Sequence, residues 1–359
     1  MGMGHYERLL IQYLGQVAPD APEKWQFDIT FEGRKPDEPV DFDALDPTLT
    51  RADFLGYSTK RLVRAPLMAA TTLLNLRFRE KPDVYHSLAL SFPLPGNAPG
   101  VFTIHDLPPA HFSDEGKLAP WFKGAAQAAR FIMTPSEFAK RDLVELLKVP
   151  DEKIIVIPYG CEHDRYHPGV TPAAPAQLKE WGIEGDFLLY AGGFTRRKNV
   201  AAMLDAWKTV APDYPNLTLV LAGPQQKLSA LVEASGAPRA RPMGYVAFTD
   251  MPGLMKAARA LVFPSIYEGF GLPPQEAMAL GVPVVISAAG GATPEVVGEA
   301  GVQAADGTAP KLAEAMRRLL EDEALQEKLK VAGPERVQRF SWPDHARQVL
   351  EVYRRAMVK

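Results

Sequence analysis

Short β-branched and aromatic runs alternate with segments of helix length along most of the chain, and this rhythm leaves few folds open. Parallel strands need a long crossover, usually a helix, so the pattern reads as parallel sheets built from βαβ units. In the first half the strand candidates are residues 27–31, 84–87, 101–105, 131–134 and 154–158, with a helix at 137–148. In the second half they are 187–191, 217–222, 260–264 and 282–287, with helices at 200–210, 251–258, 274–280 and 310–321. Between the halves lies residues 169–176, rich in Pro and Ala and without periodicity. At 359 residues and 47% hydrophobic content the chain exceeds one core, which stops growing near roughly 250 to 300 residues. Two doubly wound α/β lobes are expected, with the boundary at that seam and no internal repeat to suggest a solenoid.

Charge and cysteine content narrow the function classes. Forty Lys and Arg against forty-three Asp and Glu give a net charge of -3, which provides no global field for a nucleic-acid partner. Any phosphate site must therefore be local. The single cysteine, Cys161, can form no disulfide within the chain and no cysteine metal cage. No apolar stretch approaches the roughly 18 residues of a membrane span, and the N-terminus carries charges where a signal peptide needs an apolar core. A cytoplasmic protein is expected. In doubly wound sheets ligands bind beyond the carboxyl ends of the strands, so two facing lobes would enclose a cleft bounded by their loops.

The richest window is VFPSIYEGFGLPPQEAMAL at residues 262–280, reading as strand, glycine-containing loop and proline-opened helix. Gly269 and Gly271 let the loop backbone approach a ligand, and free N–H groups at the helix start can meet an anion. Glu268 and Glu276 can each accept hydrogen bonds from vicinal hydroxyls, as on a sugar or ribose. The alternative is a solvated Glu268 and a Glu276 in the first helical turn, placed there by the helix dipole. Upstream, YAGGFTRRKN at residues 190–199 puts Arg196, Arg197 and Lys198 in one loop after a strand. Either this is a solvated basic turn, or it neutralises charge building on a departing diphosphate.

The window at 267–285 resembles the YEGFGLPxxEAMA-GxPVV stretch, with its E-x(7)-E signature, of retaining GT-B glycosyltransferases, specifically family 4. The resemblance implies two Rossmann-like lobes facing across a cleft, with a C-terminal helix returning to the first lobe. The divisions expected are 1–172 on the acceptor side, 173–340 for the nucleotide sugar and 341–359 for the returning helix. It implies that Glu268 contacts the donor sugar, Glu276 holds the ribose, and backbone amides of Gly269, Phe270, Gly271 and Leu272 face sugar and diphosphate. Family loops carry GR-xxxx-KG or a variant ending in RKN, and this chain has the second form. Arg197 and Lys198 are then the diphosphate clamp. Gly193 stands where the first form has arginine, so Arg196 or Arg197 substitutes for it. GGATPE at 290–295 looks like the family's next loop, bordering the same pocket.

In the first lobe, His105 and Asp106 end a strand, and family members with HD here direct the histidine toward the donor sugar. TPSEFAKRDL at 134–143 and VIPYGCEHDRYHP at 156–168 resemble the family's S-x-F-S/A-x-xD-L and IPNGVDxxxFxP segments and read as architectural, with Ser136 as a helix cap. Gly4 belongs to a G-x-G-x-Y/E helix that usually follows a strand and loop, so the resemblance implies a missing opening strand. No DxD motif or metal-ligand spacing accompanies the phosphate loop, so no metal and no cofactor beyond the nucleotide-sugar donor is expected. The expected activity is transfer of a hexose, of mannose or glucose type, to a carbohydrate or lipid-linked acceptor. A GT-B sugar-nucleotide epimerase and a non-catalytic sugar-nucleotide-binding module are the alternatives. Arg51, Lys60, Arg61, Arg64, Arg77, Arg79 and Lys81 surround an apolar stretch, which reads as an ordinary half-buried helix or as a surface for peripheral membrane contact.

Overall fold

The computed structural model describes residues 3–25, 27–32, 49–55, 83–88 and 99–358. In the first lobe β1 (Phe27–Glu32) and β2 (Leu49–Leu55) form a parallel pair. Strands β3 (Tyr85–Ser87), β4 (Gly100–Thr103), β5 (Phe131–Thr134) and β6 (Ile154–Val156) form a parallel sheet in the order β3-β4-β5-β6. The second lobe has β7 (Asp186–Ala191), β8 (Leu217–Ala222), β9 (Ala240–Gly244), β10 (Ala260–Phe263), β11 (Val284–Ser287) and β12 (Val302–Ala304). They pair in parallel as β12-β11-β10-β7-β8-β9. This is the doubly wound order, and it reverses between β7 and β10, where such sheets open a crevice for ligands.

The central strands are buried on both faces, as a parallel sheet covered by helices requires. Along β7, Leu188 and Tyr190 point into one core while Phe187, Leu189 and Ala191 point into the other. The sequence pattern did not announce β2, β9 or β12. Strand β9 reads Ala-Arg-Pro-Met-Gly and lies at a sheet edge, where a proline and half-exposed polar residues are tolerated and a hydrophobic run is not needed. Strand β12 is the opposite edge and has only three residues, the middle one exposed.

Five helices position the site and the lobes: α1 (Met3–Val17), α2 (Glu137–Leu147), α3 (Val200–Val210), α4 (Leu272–Ala279) and α5 (Trp342–Met357). In α5, Ala346, Val349, Leu350 and Tyr353 repeat at helical spacing on one buried stripe. They share a core with Tyr6, Leu9, Leu10 and Leu14 of α1, so the C-terminal helix returns to the first lobe. Its start is fixed by Ser341, whose hydroxyl accepts from the Asp344 N–H at 3.2 Å. The crossing chain is packed so closely there that a Cβ on Gly160 would lie 2.3 Å from the Trp342 nitrogen. Helix α4 begins two residues before the expected 274, after Gly271 with φ +118°, so Glu276 lies beyond the first turn, which carries no acid.

The expected boundary at 169–176 falls between β6 and β7. Of the basic residues considered for membrane contact, Arg51 lies on β2, whereas Lys60, Arg61, Arg64, Arg77, Arg79 and Lys81 lie outside the described residues. Among the described residues no helix is long and apolar enough to cross a membrane.

Ser136 does more than cap α2. Its buried hydroxyl accepts from the Ala139 N–H at 3.1 Å and donates to the Gly269 carbonyl of the second lobe at 2.8 Å. Ser136→Ala removes the cap and strands a buried carbonyl, so denaturant titration should show a loss of about 1–3 kcal/mol.

Candidate active site

The loops that follow β7 and β10 meet at the switch point. After β7 the chain makes a single 3-10 turn, Arg196–Lys198, and leaves it through Asn199 in the left-handed region at φ 56°. Asn side chains tolerate that conformation better than most. The Asn199 amide donates to the Pro264 and Gly307 carbonyls at 3.1 and 2.7 Å, and the Ile266 N–H donates to the Arg197 carbonyl at 2.9 Å. The two loops are therefore one rigid unit.

On that unit two cations converge on one carboxylate. Arg197 Nη1 donates to Glu268 Oε2 at 2.8 Å and Lys198 Nζ donates to Glu268 Oε1 at 2.6 Å. Arg197 also donates from Nε to Glu115 Oε1 at 2.8 Å and from Nη1 to the Tyr267 carbonyl at 3.2 Å. Glu268 is only 7% exposed, which excludes the solvated alternative for it. Glu115 belongs to the first lobe, as does Asp114, whose carboxylate accepts from the backbone N–H of Arg196 at 2.9 Å. The Arg196 side chain itself is exposed. Of the two arginines left open by sequence, Arg197 is the one whose guanidinium lies in the cluster.

Asp106 completes the charge set from the first lobe. Burial pushes its carboxyl up to about 6, and Glu268 adds to this, while Arg197, Lys198 and the Gly269 N–H pull the other way. Burial alone would disfavour the Arg197 charge, but Glu268, Asp106 and Glu115 together hold it above the ordinary arginine range. The cluster thus sets two cations against three carboxyl groups. An incoming polyanion must take the place of a carboxylate on at least one cation.

The glycines mark where the lobes touch. A Cβ on Gly269 would lie 2.2 Å from the His105 carbonyl and 2.8 Å from Asp106 Cβ, so only glycine fits. Gly193 offers its carbonyl to the Tyr190 hydroxyl at 2.5 Å in the loop after β7. Phe270 is buried, its ring 5.0 Å from Tyr159 and 5.6 Å from Phe340, so this residue can offer a ligand its backbone and not its ring. Leu272 likewise packs on the core as the first residue of α4. The 290–295 loop crosses to the first lobe, where Glu295 Oε2 accepts the Glu137 N–H at 3.0 Å at the start of α2. Gly291 packs against the Glu268 backbone, and the Glu268 carbonyl accepts from the Ala292 N–H at 2.9 Å.

Glu276 stands apart from this cluster, 5% exposed, beside the segment that joins the lobes. Burial pushes its carboxyl up to about 7 and the charge of Glu162 adds to the effect, while Arg165 and the Tyr166 hydroxyl act against it. Glu162 also binds His5 at 2.8 Å, next to Gly4 in the first turn of α1. His105 lies between the two regions, its Nδ1 hydrogen-bonded to the Tyr159 hydroxyl. Burial lowers its pKa to about 4, so the imidazole is neutral.

Arg197, Lys198 and Glu268 are thus brought into one cluster, with the His105 carbonyl against the 264–271 loop and Glu276 among Glu162, Arg165 and Tyr166 instead. Sequence reading missed Asp114 and Glu115, whose only signal is their acidity in an unpatterned loop. It also missed Tyr267, whose hydroxyl accepts from the Leu107 N–H at 2.9 Å and donates to Asp142 at 2.6 Å, both in the first lobe. Among the described residues no group of three His, Cys, Asp or Glu side chains is placed to hold a metal ion.

Comparison with known proteins assigns both halves. The model of Glycosyltransferase Family 4 matches residues 27–165, and that of Glycosyl transferases group 1 matches residues 185–322. The O-antigen chain mannosyltransferase B of Escherichia coli is 30% identical over 269 residues, 71% of this chain and 70% of that protein. Sucrose-phosphate synthase from Thermosynechococcus elongatus has the same fold, with a TM-score of 0.77 at 22% identity over 99% of this chain and 93% of that one. Anabaena HepE, solved in complex with UDP-glucose, gives 0.66 at 20% identity over 84% and 85% of the two chains. Matched in each lobe and sharing this relative along most of both lengths, the chain belongs to the group 1, family 4 glycosyltransferases and has their GT-B architecture.

Proposed function

We propose that the protein is a retaining hexosyltransferase that moves a mannose- or glucose-type sugar from a nucleotide-diphosphate donor to a carbohydrate or lipid-linked acceptor hydroxyl. The observation that carries this reading is the convergence of Arg197 and Lys198 at the sheet switch point. The mannosyltransferase relative supports the sugar class, and the UDP-glucose complex of the structural neighbour supports the donor class. Residues 1–172 form the acceptor side, 173–340 the donor side and 341–359 the returning helix. The protein acts in the cytoplasm, with peripheral contact at the inner membrane face when the acceptor is lipid-linked.

In this scheme the donor diphosphate takes over Arg197 and Lys198, which releases Glu268 to accept hydrogen bonds from sugar hydroxyls. Gly269, Phe270, Gly271, Leu272 and Gly193 offer backbone to sugar and phosphates, with Arg196 and Gly4 at the margin. Glu268 and Glu276 are assigned to hydroxyl recognition and Asp106 is turned to the Gly269 N–H and the two cations, so no carboxylate is assigned as nucleophile and transfer proceeds on one face of the sugar. The bond from the anomeric carbon to the diphosphate oxygen breaks, the acceptor oxygen bonds to that carbon on the same face, and its proton passes to the departing phosphate. The two cations meet the negative charge as it grows, which is stabilisation specific to the transition state.

Lys198→Ala should lower kcat more than it raises the donor KM, because the charge it meets is largest as the bond breaks. Steady-state kinetics check the split, and NMR of the product should show the donor's anomeric configuration retained. Inversion, or a change confined to KM, would contradict the mechanism, and interconversion of two donors without acceptor would identify an epimerase instead.

Because Arg197 and Lys198 supply the countercharge, EDTA should leave turnover unchanged. A loss restored by Mg²⁺ or Mn²⁺ would overturn that assignment.

Glu276 makes a pH-dependent prediction. With its carboxyl near 7, the ionised fraction rises from about one-tenth at pH 6 to about nine-tenths at pH 8. If the carboxylate accepts ribose hydroxyls, calorimetric affinity for the nucleoside diphosphate should rise up to about tenfold over that range. Glu276→Ala should weaken binding at pH 8 and lose that rise, apart from the ligand's own titration.

A further inference from the structure

His105 lies two residues past the end of β4, not at the strand end expected, and is surrounded by more structure than such a position needs. Its Nδ1 meets the Tyr159 hydroxyl, while its Nε2 is buried and makes no hydrogen bond of normal geometry, the Leu88 backbone being the one backbone group that bears on the ring and raises its pKa. The Tyr159 ring is packed against Tyr6, Phe270 and Trp342 with centroids 4.8, 5.0 and 6.3 Å away, and its carbonyl accepts from the Gln275 side chain at 3.3 Å. Tyr159 therefore touches α1, the donor loop, α4 and α5 together. It stands where the IPNGVD pattern has asparagine.

A neutral imidazole has one N–H and one bare nitrogen, and the hydrogen bond at one nitrogen decides the other. Were Nδ1 the donor, the buried Tyr159 O–H would need a second acceptor, and among the described residues His105 is its one hydrogen-bonding partner. Burial keeps the phenol protonated, so it can donate. The remaining titratable groups near the ring do not alter this balance. Tyr6 packs edge-on at 4.9 Å, His86 and His345 are themselves held neutral by burial, and Asp106 is the next residue in the chain.

We infer that Tyr159 is a positioning residue for His105: its O–H donates to Nδ1, fixes the imidazole as the Nε2–H tautomer, and reserves that N–H for an oxygen of the donor sugar. This rests on the proposed hexosyl transfer for the sugar but not for the tautomer. The His105 carbonyl abuts Gly269 of the donor loop, and Asp106 lies in the field of Arg197 and Lys198, so the ring is placed at the edge of the reacting region. Phe270 and Gln275 make the arrangement depend on the lobes being closed, because both belong to the second lobe and both hold Tyr159.

The test uses the full chain labelled with ¹⁵N-histidine, His105 being assigned by comparison with His105→Gln. Long-range ¹H–¹⁵N spectra should show His105 of the wild type as a single Nε2–H tautomer between pH 6 and 8. Tyr159→Phe, which keeps the ring packing, should give mixed tautomers and lower kcat about tenfold, the worth of one positioned hydrogen bond. The double variant with His105→Gln should fall no further than His105→Gln alone. A wild-type Nδ1–H tautomer overturns the inference whatever the variant does. Unchanged kcat in a Tyr159→Phe protein with scrambled tautomers, or additive losses in the double variant, overturns the positioning role. If the wild type turns over no nucleotide sugar, the proposed transfer fails, and the tautomer measurement still decides the hydrogen bond.

Discussion

One buried carboxylate shared by two cations is the contact on which the rest of the cleft depends. Glu268 holds Arg197 and Lys198 at 2.8 and 2.6 Å in a position that is mostly withdrawn from water. Buried ion pairs contribute little net stability, since desolvation offsets most of the attraction, but stranding one member costs about 3–5 kcal/mol. Such a cluster is costly to leave half-filled and cheap to refill with another anion. Glu268 fills that place, with Glu115 of the first lobe on the other side of Arg197. The basic loop is thereby kept ordered and tied to the opposite lobe.

Lobe closure follows from contacts of the same neighbourhood. Ser136 donates to the Gly269 carbonyl, Tyr267 bridges Leu107 and Asp142, and Glu295 accepts from the start of α2. Each joins a loop of the second lobe to the first. Together they explain why Gly269 is glycine, because the backbones of the two lobes approach there to a distance at which a Cβ would collide, whereas Gly291 is held by the Glu268 backbone of its own lobe. The same approach brings His105 and Asp106 up to the loop that follows β10.

How much of this was legible in the sequence depends on range. Local periodicity reads β7, β8, β10 and β11 well because both faces of those strands are buried, and α3 because its buried residues recur at helical spacing opposite an exposed face. Edge strands β9 and β12 escape, since an edge carries little hydrophobic signal. The start of α4 was misplaced because the prolines at 273 and 274 sit inside its first turn, and the cap is Gly271. In the site, Arg197, Lys198 and Glu268 are readable because each lies in a glycine-bearing loop after a central strand. Asp114, Glu115 and Tyr159 are not, since their meaning comes from partners 82 and 54 positions away in sequence.

The buried polar groups of the two regions are handled in opposite ways, and the difference bears on chemistry. Around Glu268 opposite charges are paired, so each cation has its countercharge at hydrogen-bonding distance. Around His105 burial lowers the pKa values of His86, His105 and His345 to about 3, 4 and 4, and raises those of Tyr6, Tyr159 and Tyr353. Those groups are neutral throughout the physiological range and interact only as hydrogen-bond dipoles. A charged imidazolium at His105 would be a buried charge without a counterion, which costs far more than a neutral ring. Keeping His105 neutral leaves the charge of the site to the Glu268 cluster and leaves the ring to act through the direction of its hydrogen bond to Tyr159.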